Sequence, residues 1–266
     1  MILSLNPAPE SAGPLCRRSL AEREGARAAP ADGKICRPVK LLSTEGSPRE
    51  TAVKNPQNEQ IDELLEYWFG DTVKDPGKIS GRMGFWFGSD PARDAEMAER
   101  WGALVAAASE GKLDTWTGTP RGRLAVLLLM DQFRRNIFRG TAEAFRRDGR
   151  ARYLMRDGIS RMMDIQLTPV ERMFFYMPLQ HSESLDDQEL GVDRYLQVER
   201  EVAEDHKPIF ADFRKYAQRH RDIVARFGRF PHRNAILGRR DTAEEQAWLA
   251  SGGETFGQPA SIAGAG

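Results

Sequence analysis

The chain has 266 residues, 40% of them hydrophobic and 29% charged, the balance of a soluble globular protein. Its 39 basic and 39 acidic side chains cancel, so no net charge draws it over long range to nucleic acid or to an anionic membrane. The longest uninterrupted apolar run, Leu124 to Met130, is far too short to cross a bilayer.

Residues 1–56 hold seven of the fifteen prolines and no sustained periodicity, and are expected to form a disordered extension. Both cysteines, Cys16 and Cys36, lie there, so neither a disulfide framework nor a thiolate metal site is indicated, and a reducing cytoplasm is the expected compartment. No 7–15-residue apolar stretch follows a basic start, which argues against a secretory signal, and Glu10, Glu22, Glu24 and Asp32 argue against a transit peptide.

From there the pattern is helical. Residues 59–69 form a short amphipathic segment, and 91–110 are rich in Ala, Glu and Arg before Gly111. Thr119-Pro120 supplies an N-cap and a first-turn proline for a helix reaching about 137, and 148–163 follow. Thr168-Pro169-Val170-Glu171 is a capping box opening the next helix. Helices are expected at 185–202, at 208–227 up to Gly228, and at 231–237 up to Gly238; Thr242 caps the last. Alternating β-branched runs and Asn-Gly turns are missing, so the class is all-α: one helical domain over 57–256 with a flexible tail at 257–266. The repeated WFG triplets, Trp68-Phe69-Gly70 and Trp86-Phe87-Gly88, suggest core packing between early helices rather than a stacking platform.

Helical phase singles out three ionisable side chains. His220 shares a stripe with Phe213, Tyr216, Ile223 and Phe227; Asp131 continues Leu124, Leu127 and Leu128; His181 continues Val170, Phe174 and Met177, provided that Pro178 does not end that helix. Burying such groups singly is costly, so they are expected to converge on one locus. A core histidine satisfied by a carbonyl remains the plainer alternative for each.

Residues 223–240 carry five arginines and no acid. A new helix at Pro231 would put His232, Arg233 and Asn234 in its first turn, where free N–H groups favour an anion, and Arg229 and Arg233 could clamp it. Residues 182–193, with five acids and no base, offer the opposite reading: the two segments pair with each other, which accounts more simply for most of these charges. His181-Ser182-Glu183 and His220-Arg221-Asp222 lack the i,i+4 spacing of metal ligands, so neither metal nor cofactor is expected. Ser182 sits in no nucleophile elbow, and there is no phosphate-binding loop or dinucleotide fingerprint.

The stretches PRGRLAVLLLMDQFRRNIFRG (120–140), PLQHSESLDDQE (178–189) and HRDIVARFGRFPHRNAILGR (220–239), with the aromatic YWFG start, resemble the uncharacterised bacterial family known as domain of unknown function 924. The resemblance spans about 60–256. Arg134 stands where the family usually has proline, and Gln180 where methionine is common. The resemblance, not the periodicity, implies a tetratricopeptide-like helical fold; no 34-residue repeat is visible. It carries no established activity.

Two functions are expected from these residues. One is a pocket binding a small anionic molecule or a peptide carboxylate, able to perform acid–base chemistry with Asp131, His181, Glu183, His220 and Asp222, and holding the ligand with Arg135, Asn136, Arg229, His232, Arg233 and Asn234. The other is an interaction module without catalysis, whose concave helical surface takes a protein or peptide.

Overall fold

A computed structural model describes residues 55–257. The extension and the tail expected from the sequence therefore lie outside the described residues, except for Asn55, Pro56 and Gly257, as do both cysteines. The extension's expected boundary is one residue late. Pro56 already begins a helix, which Asn55 caps by accepting the Gln57 backbone N–H at 3.1 Å.

The helices are α1 Pro56–Phe69, α2 Ile79–Phe87, α3 Pro91–Ser109, α4 Pro120–Leu128, α5 Arg134–Ile137, α6 Asp148–Ser160, α7 Pro169–Phe175, α8 Met177–Gln180, α9 Leu185–Glu201, α10 Lys207–Phe227 and α11 Ala243–Ala250. No strand occurs among the described residues, and none of their helices is long and apolar enough to cross a membrane. Starts and stops follow local chemistry. Both expected capping boxes form, Thr168 with Glu171 and Thr242 with Glu245. Gly228 ends α10 in the left-handed region, at φ 69°, where a side chain would be strained.

Three departures from the expected elements bear on the site. The helix from Pro120 is interrupted by one wide π-turn, Leu129–Phe133, which carries Asp131. The helix from Pro169 breaks at Tyr176 and resumes as α8 with Pro178 in its first turn. Over 231–237 there is only a three-residue 3-10 turn, Pro231–Arg233, so no helix N-terminus faces a ligand there.

The architecture is built around two segments buried on every side. Residues 122–134 are buried without interruption, and so are 170–180. A helix buried on every face belongs in the middle of a fold, so neighbours must cover all of it and supply partners for its buried charges, such as Arg123 and Arg134. Helices α1, α3 and α6 pack on the first segment, and α9 packs on the second and pairs along its length with α10. Trp68 and Phe69 of α1 meet Phe133 and Phe174 of the two central segments at 5.3–5.5 Å. Trp86 of α2 lies 4.7 Å from Phe174 and donates its indole N–H to the Trp68 carbonyl at 2.8 Å. The WFG repeat is thus core packing, with one exception: Phe87 stays 39% exposed. Helix α2 itself escapes sequence reading because Gly81 and Gly84 dilute its helical signal within nine residues; packing of Ile79 and Trp86 holds it instead.

Candidate functional site

Asp131 lies on the π-turn, 1% exposed, and His181 follows the last residue of α8. Their elements pack together in the centre, and the His181 Nδ1 stands 2.7 Å from the Asp131 Oδ1. One helical turn after Asp131, Arg135 donates its Nε–H to the same oxygen at 3.1 Å. Its Nη2 reaches both oxygens of Asp148, at 2.9 and 2.8 Å. Gln132 donates to the other Asp131 oxygen at 2.7 Å. A buried carboxylate thus meets three donors, the condition under which burying charge is tolerable.

These contacts fix the imidazole tautomer. Burial alone would push the Asp131 carboxyl up, but His181 and Arg135 outweigh it and hold it well below the usual carboxylate range. An ionised carboxylate only accepts, so the His181 Nδ1 carries the proton and donates. The Arg135 Nε–H, 3.1 Å from the same Nδ1, is then a neighbouring donor aimed at the shared oxygen. Burial and the Arg135 charge lower the His181 pKa against the pull of Asp131, which favours the neutral ring. The Nε2 lone pair is left without a hydrogen-bond partner among the described residues. A carboxylate-bonded imidazole whose second nitrogen has no partner is chemically able to take up a proton at that nitrogen.

His220, on α10, has its ring centroid 6.2 Å from that of His181. Its Nδ1 contacts the Tyr216 carbonyl at 2.9 Å, and its face stacks on Phe256 at 3.5 Å with the planes 15° apart. Burial pushes its pKa well below the ordinary value; the Tyr216 bond opposes this and the neighbouring His181 and Arg233 add to it. The structure therefore brings Asp131, His181 and His220 to one locus, although the helical phase that suggested His181 is broken at Tyr176.

Both histidines border a cleft of about 710 Å³ between α2, α5, α8, α10 and Phe256-Gly257. Its polar lining includes Gln132, Arg135, Asn136, Arg139 and Gln180; its apolar lining includes Met83, Trp86, Phe87, Met177 and Phe213. Arg139 is held by Asp94 at 2.8 and 3.2 Å and by the Asn136 side-chain oxygen at 2.6 Å. In Arg135 the Nη1 donors take no partner among the described residues, and the Arg139 Nη1 reaches only the Gly257 carbonyl at 3.4 Å. Among the described residues, no group of three or more His, Cys, Asp or Glu could hold a metal ion.

The remaining sequence candidates do not join this cleft as expected. Asp222 is exposed, paired with Arg221 at 2.7 Å, and borders a separate depression with Trp248. Glu183 is a strut: it accepts from Arg239 at 2.7 and 2.9 Å and from the Phe230 backbone N–H at 2.9 Å. Arg229 is closed on Glu245 at 2.6 and 2.7 Å. His232 and Asn234 are buried, and Asn234 donates to Asp241 at 2.7 Å. Arg233 is no solvated clamp. It is 6% exposed, lies over the Phe145 and Phe230 rings at 4.8 and 4.3 Å, and donates to the His181 carbonyl at 3.0 Å.

The expected pairing of 182–193 with 223–240 reduces to Glu183 with Arg239. Asp187 instead takes Arg152 and Arg156 of α6 and the Ser182 hydroxyl, the last at 2.6 Å. Asp148, Gln132, Arg139 and Phe87 were not anticipated. Asp148 looks like any first-turn helix acid, and only the i,i+4 spacing of Asp131, Arg135 and Arg139 could have drawn attention to Arg139.

A family model described as a bacterial protein of unknown function, DUF924, matches residues 64–253. A solved structure of a protein of unknown function from Agrobacterium tumefaciens is 34% identical, with a TM-score of 0.60, covering 73% of this chain and 99% of that one. No curated protein matches.

Proposed function

The chain belongs to that bacterial family of unknown function, and we propose that its central cleft binds a small organic anion on which His181 acts as a base. The observation that carries this reading is the side-by-side arrangement of an unpartnered imidazole Nε2 and guanidinium donors in one cleft. Asp131 holds the His181 tautomer and stabilises the imidazolium formed when Nε2 takes a proton. Arg135, fixed by Asp131 and Asp148, offers its Nη1 donors to an anionic group beside that nitrogen. His220, with one ring face stacked on Phe256, is a wall of the same space.

A non-catalytic interaction module has less support. Its concave surface would be an open groove, whereas the cleft leads to groups as enclosed as His181 and Asp131, whose side chains are 14% and 2% exposed. The test is a thermal-shift panel of small organic anions, each beside its neutral counterpart. A ligand that binds only the folded state raises the melting temperature by mass action. At least one anion is expected to do so where its neutral counterpart does not, and to lose the effect in His181→Gln. A panel in which no anion stabilises the protein contradicts the reading.

A further inference from the structure

We propose that the ligand of this cleft is an amphipathic monocarboxylate, its carboxylate beside Arg135 and Arg139 and its hydrocarbon body along Met83, Phe87 and Phe213. This rests on reading the cleft as an anion site and narrows the class of anion. The first observation is where apolar surface is left open. Of the eight large hydrophobic side chains exposed by more than a third among the described residues, Met83 (36%), Phe87 (39%) and Tyr216 (38%) all line this cleft. Single exposed apolar residues are ordinary, but three converging on one concave surface mark a place where something apolar is covered. Phe87 is held for the purpose: it stacks on Phe174 at 6.2 Å with planes 9° apart and meets Phe213 edge-on at 6.0 Å. The wall is preformed, as small-molecule sites usually are.

The second observation is the strength of the field at the polar end. Arg135 and Arg139 are each neutralised from behind, by Asp131 with Asp148 and by Asp94. What remains is directional N–H donors with little net charge. Such a site satisfies one carboxylate, whereas a phosphate dianion would bring a second negative charge to guanidinium groups already balanced by carboxylates; Lys215 and Arg219 of the lining are likewise paired, with Asp212 and Glu254. The volume of about 710 Å³ lies in the usual range for a small organic ligand.

Isothermal titration with straight-chain carboxylates from acetate to decanoate, and with the matching alcohols, tests the proposal. Affinity is expected to rise roughly fourfold per methylene until the chain fills the apolar wall, then to level off. Each alcohol is expected to bind at least about tenfold more weakly than its carboxylate, as a charged hydrogen-bond acceptor is lost. Phe87→Ala, checked for native helicity by circular dichroism, is expected to flatten the chain-length dependence, and Met83→Ala to do so to a lesser degree. If acetate and octanoate bind equally, or if phosphate binds as tightly as octanoate, the amphipathic class is overturned while the anion site stands. Equal binding of octanol and octanoate overturns both readings, and so does the absence of binding by every carboxylate. A chain-length dependence that survives in both folded variants places the hydrocarbon elsewhere and overturns the proposal.

Discussion

The floor of the cleft and the segment 228–245 are both rich in arginine, yet they differ in what pairing leaves over. In the segment, Arg229 and Arg239 each close a two-point contact on one glutamate and spend further donors on the carbonyls of Arg240 and Phe230. On the floor, Arg135 stands between two carboxylates and still has Nη1 donors to offer, next to an imidazole nitrogen that is also unspent. The Arg233 and Arg239 Nε donors of the segment also lack partners but are buried, so neither arginine density nor an unspent donor alone locates a site; donors open to a cleft do. Arg233 is the side chain that crosses from one region to the other. It leaves the segment to support the floor, 3.7 Å from Asp148 and bonded to the His181 carbonyl.

The largest effect expected from that difference is at Arg233. Burial lowers its pKa to about 10, yet it stays charged at neutral pH, wedged between two rings. Arg233→Ala should cost about 3–5 kcal/mol in chemical denaturation, because it leaves a cavity and weakens the compensation of Asp148. A loss below about 1 kcal/mol would return Arg233 to the role of a solvated clamp.

The next effect is a pH dependence of stability. His181, His220 and His232 all have folded pKa values below the ordinary 6.5; burial and Arg233 push His232 to about 3. The unfolded chain therefore takes up protons below about pH 6.5 that the folded chain refuses. Stability is full above that pH and falls as pH drops through it, by up to about 1.4 kcal/mol per unit for each histidine. Denaturation midpoints at pH 7.5, 6.0 and 5.0 check this; a flat profile would mean that the rings are not buried neutral.

Smaller effects are expected in the segment. Arg229→Ala removes a partly exposed guanidinium from a buried glutamate and should cost about 1–2 kcal/mol without changing anion binding. Asp222→Ala, in an exposed pair outside the cleft lining, should change stability by less than about 0.5 kcal/mol and leave binding untouched. Loss of ligand binding in either variant would erase the distinction between the two regions.

Much of this was legible because it is local. Thr168 and Thr242 announce their helices through capping boxes that need only four residues. Asp131 and His220 stood out because each is an ionisable group in a row of apolar ones. The rest depends on distant parts of the chain. Nothing within a turn of Asp187 points to Arg152 or Arg156, and the one-sign composition of 223–240 offered a more conspicuous match. Arg233 has only Phe230 nearby in sequence; the second ring over it, Phe145, and the His181 carbonyl it bonds come from distant elements. The π-turn at Leu129–Phe133 lacks any Gly or Pro to signal it; such wide turns are common at functional positions, and this one sets Asp131 toward His181.

The central claim is that His181 presents a neutral, unprotonated Nε2 to the cleft. Long-range proton–nitrogen NMR of 15N-histidine-labelled protein, assigned by His181→Gln and followed from pH 7.5 downward, reads that state directly. The expected result is a proton on Nδ1, a lone pair on Nε2, and a pKa below 6.5, with the Nδ1 preference lost in Asp131→Asn. A ring protonated on Nε2 at pH 7.5, or one that stays doubly protonated above pH 7, would contradict it.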